Sequence, residues 1–195
     1  MKNNKYANNI NLELGKYFIK EHSYDLALNA LTKAISQEPN NANLYDFRGI
    51  AYGSIQEHEK AIADFSMAIS IDNQIASAYN NRSLSYWALD MICEAENDIN
   101  KAIDLDSGMA VFHANRGLIM YTKGAYQESV FDYCIAIMLG DNDFEIYNGR
   151  GEAYVSLGKY DKALADFDYA LTLNPNDIIA YANWISIRYV CIELS

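Results

Sequence analysis

The sequence predicts an all-α fold, a solenoid of helix–turn–helix repeats, on three observations. First, the chain matches itself when slid by 34 residues, giving five blocks without insertion at 8–41, 42–75, 76–109, 110–143 and 144–177. A fixed period of this kind marks supersecondary units that bury their apolar faces only on one another. Second, small residues recur at fixed points. Position 8 of the blocks holds Gly15, Gly49, Ser83, Gly117 and Gly151, and position 27 holds Ala34, Ala68, Ala102, Ala136 and Ala170. Third, large residues recur as well, with Leu31, Phe65, Ile99, Tyr133 and Phe167 at position 24. Small set against large lets two helices approach without leaving a void.

The elements follow in order. Residues 1–7 are polar and are expected to form an N-terminal tail. Helix A of each block spans about positions 1–14, with Phe18, Tyr52, Tyr86, Met120 and Tyr154 at position 11. Position 15 is the turn. Gly124 and Gly158 accept a left-handed backbone there, and Asp90 takes the same place in the third block. Helix B spans about positions 17–30 and keeps position 20 small, with Ala27, Ala61, Ala95, Ser129 and Ala163. Pro39 and Pro175 mark its exit in the first and fifth blocks. Residues 178–195 carry one more helical pattern, a C-terminal capping helix with no helix B of its own.

Composition narrows the partners. A formal net charge of −11 leaves no basic stripe for a phosphate backbone, and it opposes adhesion to an anionic membrane. No apolar run reaches the roughly 18 residues of a membrane span. Neither nucleic acid nor membrane insertion is expected. Cys93, Cys134 and Cys191 are odd in number and unclustered, which argues against a disulfide framework and for a reducing compartment. The opening MKNNKYANNINLELGKYF has no apolar stretch of secretory type, so a cytoplasmic location is expected.

The block pattern resembles the tetratricopeptide repeat family. That pattern has an aromatic at position 4, Leu-Gly at 7–8, Tyr at 11, Ala at 20, Phe or Tyr at 24, Ala at 27 and Pro at 32. EIYNGRGEAYVSLGKYDKALADFDYALTLNPN in the fifth block follows nearly all of it. The resemblance covers about residues 8–194 and implies a right-handed α-solenoid with a concave groove, usually an adaptor.

The chain departs from the family at position 7, where leucine is usual. Here Leu14 is followed by Arg48, Arg82, Arg116 and Arg150, while position 23 reads Ala30, then Asp64, Asp98, Asp132 and Asp166. The two positions change together. Each lies eight residues from the turn, so both sit about 12 Å from it in an antiparallel hairpin. This predicts an Arg–Asp ion pair between helices A and B of four repeats. The alternative is an arginine ladder that grips an anionic ligand.

In the family it resembles, helix A lines the groove. Carried onto this chain, that implies Asn80, Asn81, Leu84, Trp87, Asn115, Leu118, Tyr121, Asn148 and Glu152. Trp87, Tyr121, Leu84 and Leu118 would form an apolar strip. The asparagine amides offer donor and acceptor to an extended peptide backbone. The alternative is a solvated polar face. Repeats that clamp the acidic tails of heat-shock chaperones need lysines where this chain has Leu12, Ser77 and Val111, so a chaperone C-terminal tail is not the expected partner.

A second working face competes with the groove. SVFDYCIAIMLG in the fourth block is apolar nearly all round, and Phe131, Ile135 and Met138 point away from its core side. The terminal helix adds Ile187 and Cys191, where a solenoid end should be polar. These residues suit a homodimer or partner docking, unless the tail folds back over them. No catalytic, metal-binding or cofactor pattern emerges. His22 and His58 fall at turns and His113 at the aromatic position 4. The expected function is a non-catalytic scaffold that binds a peptide segment or helix of another protein. The alternative is a regulatory or assembly-helper subunit that works through its convex and terminal surfaces.

Overall fold

The computed structural model describes the backbone of residues 2–193 and the side chains of residues 10–189. Among the described residues there are eleven helices and no strand. They are α1 (Lys2–Lys20), α2 (Tyr24–Gln37), α3 (Ala42–Ser54), α4 (His58–Ile71), α5 (Ala76–Ala88), α6 (Ile92–Leu105), α7 (Ala110–Thr122), α8 (Tyr126–Met138), α9 (Phe144–Ser156), α10 (Tyr160–Leu173) and α11 (Ile178–Glu193). This is the all-α helical-repeat fold. The chain divides into two compact units, Met1–Leu105 with α1 to α6 and Asp106–Ser195 with α7 to α11. Within each unit every helix packs on the next, so hairpins stack on hairpins.

The period appears directly in the helix limits. Helices α3, α5, α7 and α9 each begin at position 1 of a block and end at position 13, and α4, α6 and α10 run from 17 to 30. Helix α8 ends one residue sooner, before Gly140 at φ 96°. At the start, helix α1 begins at Lys2, within the segment expected to be a polar N-terminal tail. The run KNNKYANN contains no proline or glycine to stop it.

Close helix contact rests on the position-8 residues. A Cβ added to Gly15, Gly49 or Gly151 would come within 2.6 Å of Leu31, Phe65 or Phe167. In the third block Ser83 replaces glycine and meets no aromatic at position 24, where Ile99 stands; both are fully buried. Burying a ring such as Phe65 or Phe167 contributes about 2–3 kcal/mol. Position 15 adopts a left-handed backbone in every block: His22 (φ 54°), Gln56 (φ 63°), Asp90 (φ 59°), Gly124 (φ 83°) and Gly158 (φ 69°). The sequence signalled three of these five.

The terminal helix corrects one expectation. Ile187 is not an outward residue; it is 7% exposed and packs with Ala163 and Phe167. It stands at position 10, which in α3, α5, α7 and α9 holds the buried Ala51, Ser85, Ile119 and Ala153. Helix α11 lays that face on α10. The side chain of Cys191 lies outside the described residues.

Candidate functional site

The four arginines form a frame. Each makes a two-pronged ion pair across its own hairpin. Arg48 reaches Asp64 at 2.7 and 2.7 Å, Arg82 reaches Asp98 at 2.6 and 2.8 Å, Arg116 reaches Asp132 at 2.9 and 2.7 Å, and Arg150 reaches Asp166 at 2.8 and 2.7 Å. The aspartates are buried and the guanidiniums half-buried. Hydrogen bonding to Asp64 and to Asp98 holds Arg48 and Arg82 above the usual arginine range. Burial works against the charge of Arg150, but the hydrogen bond and attraction of Asp166 outweigh it.

Two further sets of contacts complete the frame. Tyrosines at positions 4 and 11 bracket the cation, with Tyr45 and Tyr52 around Arg48 and Tyr79 and Tyr86 around Arg82. The guanidinium also reaches back to the preceding hairpin. Arg48 donates to Thr32 at 3.3 Å, Arg82 to Ser66 at 2.9 Å and Arg150 to the Cys134 thiol at 3.3 Å. These arginines therefore tie helix A to its own helix B and to the one before. In the fourth block His113 and Met120 replace both tyrosines. His113 is buried, with Nδ1 3.6 Å from Asp132 and Nε2 3.1 Å from the Ser107 carbonyl. A ring nitrogen facing a carbonyl must carry the proton, so Nε2–H is the donor.

Further polar side chains stand on the helix A faces. In the second unit α7, α9 and the start of α11 enclose a cleft of about 660 Å³, a volume typical of ligand sites. Five groove residues expected from the sequence line it together: Asn115, Leu118, Tyr121, Asn148 and Glu152. Sequence reasoning missed Tyr133, Gly149 and the segment Asp177–Ile179, which also line it. Tyr133 explains Gly149. Its hydroxyl would lie 2.5 Å from a Cβ at that position, so glycine admits the phenol between helices. Burial pushes the Tyr133 phenol far above its ordinary value.

Three carboxylates line this cleft, those of Glu145, Glu152 and Asp177, and no Lys, Arg or His among the described residues lines it. Glu152 accepts from Asn183 at 2.9 Å. Asp177 caps α11 by accepting from the Ile179 amide at 3.0 Å through Oδ1. Its Oδ2 is buried without a hydrogen-bond partner, and so is Oδ1 of Asn148, a residue only 9% exposed.

The first unit holds a smaller hollow of about 280 Å³, lined in part by Ile50, His58, Asn81 and Leu84. Beside it Asp46 is buried, accepting from Ser77 at 3.1 Å and from Asn81 at 3.4 Å. Burial pushes the Asp46 carboxyl above its usual range, and those two hydrogen bonds pull it partly back. Asn80 is buried and donates to Asn81 at 3.2 Å, and Trp87 is half-buried; neither lines either of these two clefts. On the opposite side of α8, Phe131 is 63% and Met138 77% exposed, while Ile135 is half-buried.

Comparison with known proteins bears on the fold. Tetratricopeptide repeat models match residues 12–81, 76–108 and 144–177, together more than half of the chain. The chain belongs to the tetratricopeptide repeat family. Such proteins generally mediate protein–protein interaction and are typically non-catalytic. No curated protein matches the sequence. Among solved structures, the chain is similar to TTC0263, a thermophilic protein of this family from Thermus thermophilus. The identity is 21%, the TM-score 0.76, and the match covers 93% of this chain and 99% of that one. It is also similar to a tetratricopeptide repeat protein from Parabacteroides merdae, at 23% identity and TM-score 0.76, over 95% and 73% of the two chains. A third is YrrB, described as having an unusual peptide-binding site, at 16% identity and TM-score 0.70, over 88% and 89%. At these identities the likeness establishes the fold alone. No helix among the described residues is long and apolar enough to cross a membrane.

Proposed function

We propose that the protein is a non-catalytic interaction scaffold that binds a peptide segment or helix of another protein against its helix A faces. One observation carries the reading: Asn115, Asn148, Leu118 and Tyr121 converge on one cleft, setting amides beside an apolar wall. Amides pair with an extended backbone and the apolar wall takes alternate side chains. The arginines, already engaged by aspartate, serve the frame rather than the ligand. YrrB, with its described peptide-binding site, lends the reading support by analogy. A cytoplasmic setting belongs to the same reading.

The second reading places the working surface on α8, where Phe131 and Met138 stand largely in solvent, and it includes self-association. A pull-down from native lysate separates the two, with wild type beside Leu118→Glu and Phe131→Glu and a melting curve for each. On the groove reading, Leu118→Glu loses the captured protein and Phe131→Glu keeps it. The reverse pattern would transfer the function to α8.

A further inference from the structure

We infer that the cleft of the second unit is a subsite for a basic side chain, lysine or arginine, flanked by an apolar residue in the bound peptide. The inference rests on the groove reading above and specifies its ligand. Three observations lead to it.

The first is charge. Glu145, Glu152 and Asp177 face one cleft that no described basic residue lines. At two of the helix starts bordering it, an aspartate already answers the end of the helix. Asp143 accepts from the Glu145 amide at 3.1 Å, and Asp177 accepts from the Ile179 amide. One backbone N–H at each of these helix starts is thereby engaged, and three carboxylates with no described basic residue beside them set a field in the cleft that favours a cation.

The second is unsatisfied hydrogen bonding. Asn148 is nine-tenths buried in the cleft wall and its Oδ1 accepts nothing; Asp177 Oδ2 accepts nothing either. A buried acceptor without a donor is unfavourable, and an incoming donor removes that penalty. Lysine brings three N–H donors and arginine five, and neither brings an acceptor. A carboxylate ligand would face these oxygens with more oxygens.

The third is the apolar surround. Leu118, Tyr121 and Ile146 line the same cleft, and Ile178 and Ile179 stand exposed at its rim. The methylene stem of a lysine or arginine lies against such a surface while its head meets the carboxylates. A neighbouring apolar side chain of the peptide covers the two isoleucines.

The test uses the full chain and a phage-displayed library of random twelve-residue peptides. Selected peptides are then synthesised with a fluorophore, and their binding is measured by anisotropy at low and at 0.5 M salt. The expected result is a fixed lysine or arginine next to an apolar residue. Binding should weaken about tenfold with Asp177→Asn, Glu152→Gln or Glu145→Gln and fall with salt. Asp177→Asn keeps a capping oxygen and Glu145→Gln is exposed, so both should fold, as a melting curve verifies. Peptides without a fixed basic residue, or binding indifferent to all three substitutions but lost with Leu118→Glu, would overturn the subsite and leave the groove reading standing. No selected peptide at all would overturn both.

Discussion

The helix A faces of the two units use the same positions to opposite ends. In the first unit the buried Asp46 at position 5 is satisfied by the next repeat, through Ser77 at position 2 and Asn81 at position 6. In the second unit Asn148 stands at that position 5, and the next helix is α11. There position 2 is Ile179, which has no donor in its side chain, and position 6 is Asn183, which donates to Glu152 instead. Glu152 is at position 9, where the first unit has Ile50. Three exchanges, Asp46 for Asn148, Ile50 for Glu152 and Ser77 for Ile179, thus separate a closed polar network from an open one. In a stacked repeat the partner of a polar residue lies in the next repeat, so α11, with Ile179 at position 2, leaves Asn148 Oδ1 unsatisfied.

The frame beneath both faces is common to them, and breaking it should give the largest effect and the same one in each unit. Asp98→Ala and Asp166→Ala each leave a half-buried guanidinium without its carboxylate, a loss of about 3 kcal/mol at the lower end expected for a buried pair. Denaturant melts followed by circular dichroism would measure it. The first block, with Leu14 and Ala30 in place of the pair, supplies the rescue. Arg82→Leu with Asp98→Ala should recover most of what Asp98→Ala loses. If the double variant is as unstable as the single, the pair has a role beyond mutual compensation.

That frame was legible in the sequence because four arginines and four aspartates alternate with one neutral pair, in register with the turn. The back-contacts to Thr32, Ser66 and Cys134 were not legible, since three residue types share one donor-accepting role and no common letter. Ile187 carried a usable signal that was left unused, because position 10 is small or apolar and buried in every earlier helix A from α3 to α9. The cleft was half legible. Its helix A residues are implied by the resemblance to the tetratricopeptide repeat family, but Gly149 depends on the reach of Tyr133. The acceptors at Asn148 and Asp177 are exposed as unsatisfied only once their neighbours are placed.

The turns sharpen the contrast between the units by a smaller amount. The first unit puts His22, Gln56 and Asp90 in the left-handed region, whereas the second uses Gly124 and Gly158. A side chain there costs about 1–2 kcal/mol that glycine avoids. Gln56→Gly should stabilise the protein by about 1 kcal/mol in a thermal melt, and Gly158→Ala should destabilise it by a similar amount. Equal melts for Gln56→Gly and wild type would mean that the Gln56 side chain makes a compensating contact.

Closing the open network comes next in size. Ile179→Ser reproduces in the second unit the donor that Ser77 provides in the first, and Ile179 is 62% exposed, so little apolar burial is lost. The added hydrogen bond to Asn148 should contribute about 0.5–1 kcal/mol. The same variant should weaken capture of a basic peptide, because one acceptor is no longer available to it.

The smallest effect belongs to Asp46 and has a definite sign in pH. Burial raises its carboxyl above the ordinary 3.8, so between that value and the raised one the folded chain binds more protons than the unfolded chain. Ionised Asp46 therefore opposes folding at neutral pH, and that penalty is relieved as the pH falls through its folded value. Asp46→Asn, neutral throughout, should be more stable than wild type at pH 7 by about 0.5 kcal/mol, or ~1–2 °C in Tm. The gap should shrink on acidification and vanish below about the unperturbed carboxylate value. Following the difference between the two proteins, rather than either melt alone, removes the titration of every other group they share. A gap that stays constant from about pH 7 to about pH 3 would mean that the hydrogen bonds from Ser77 and Asn81 already offset burial. The closed network of the first unit would then hold its charge without penalty.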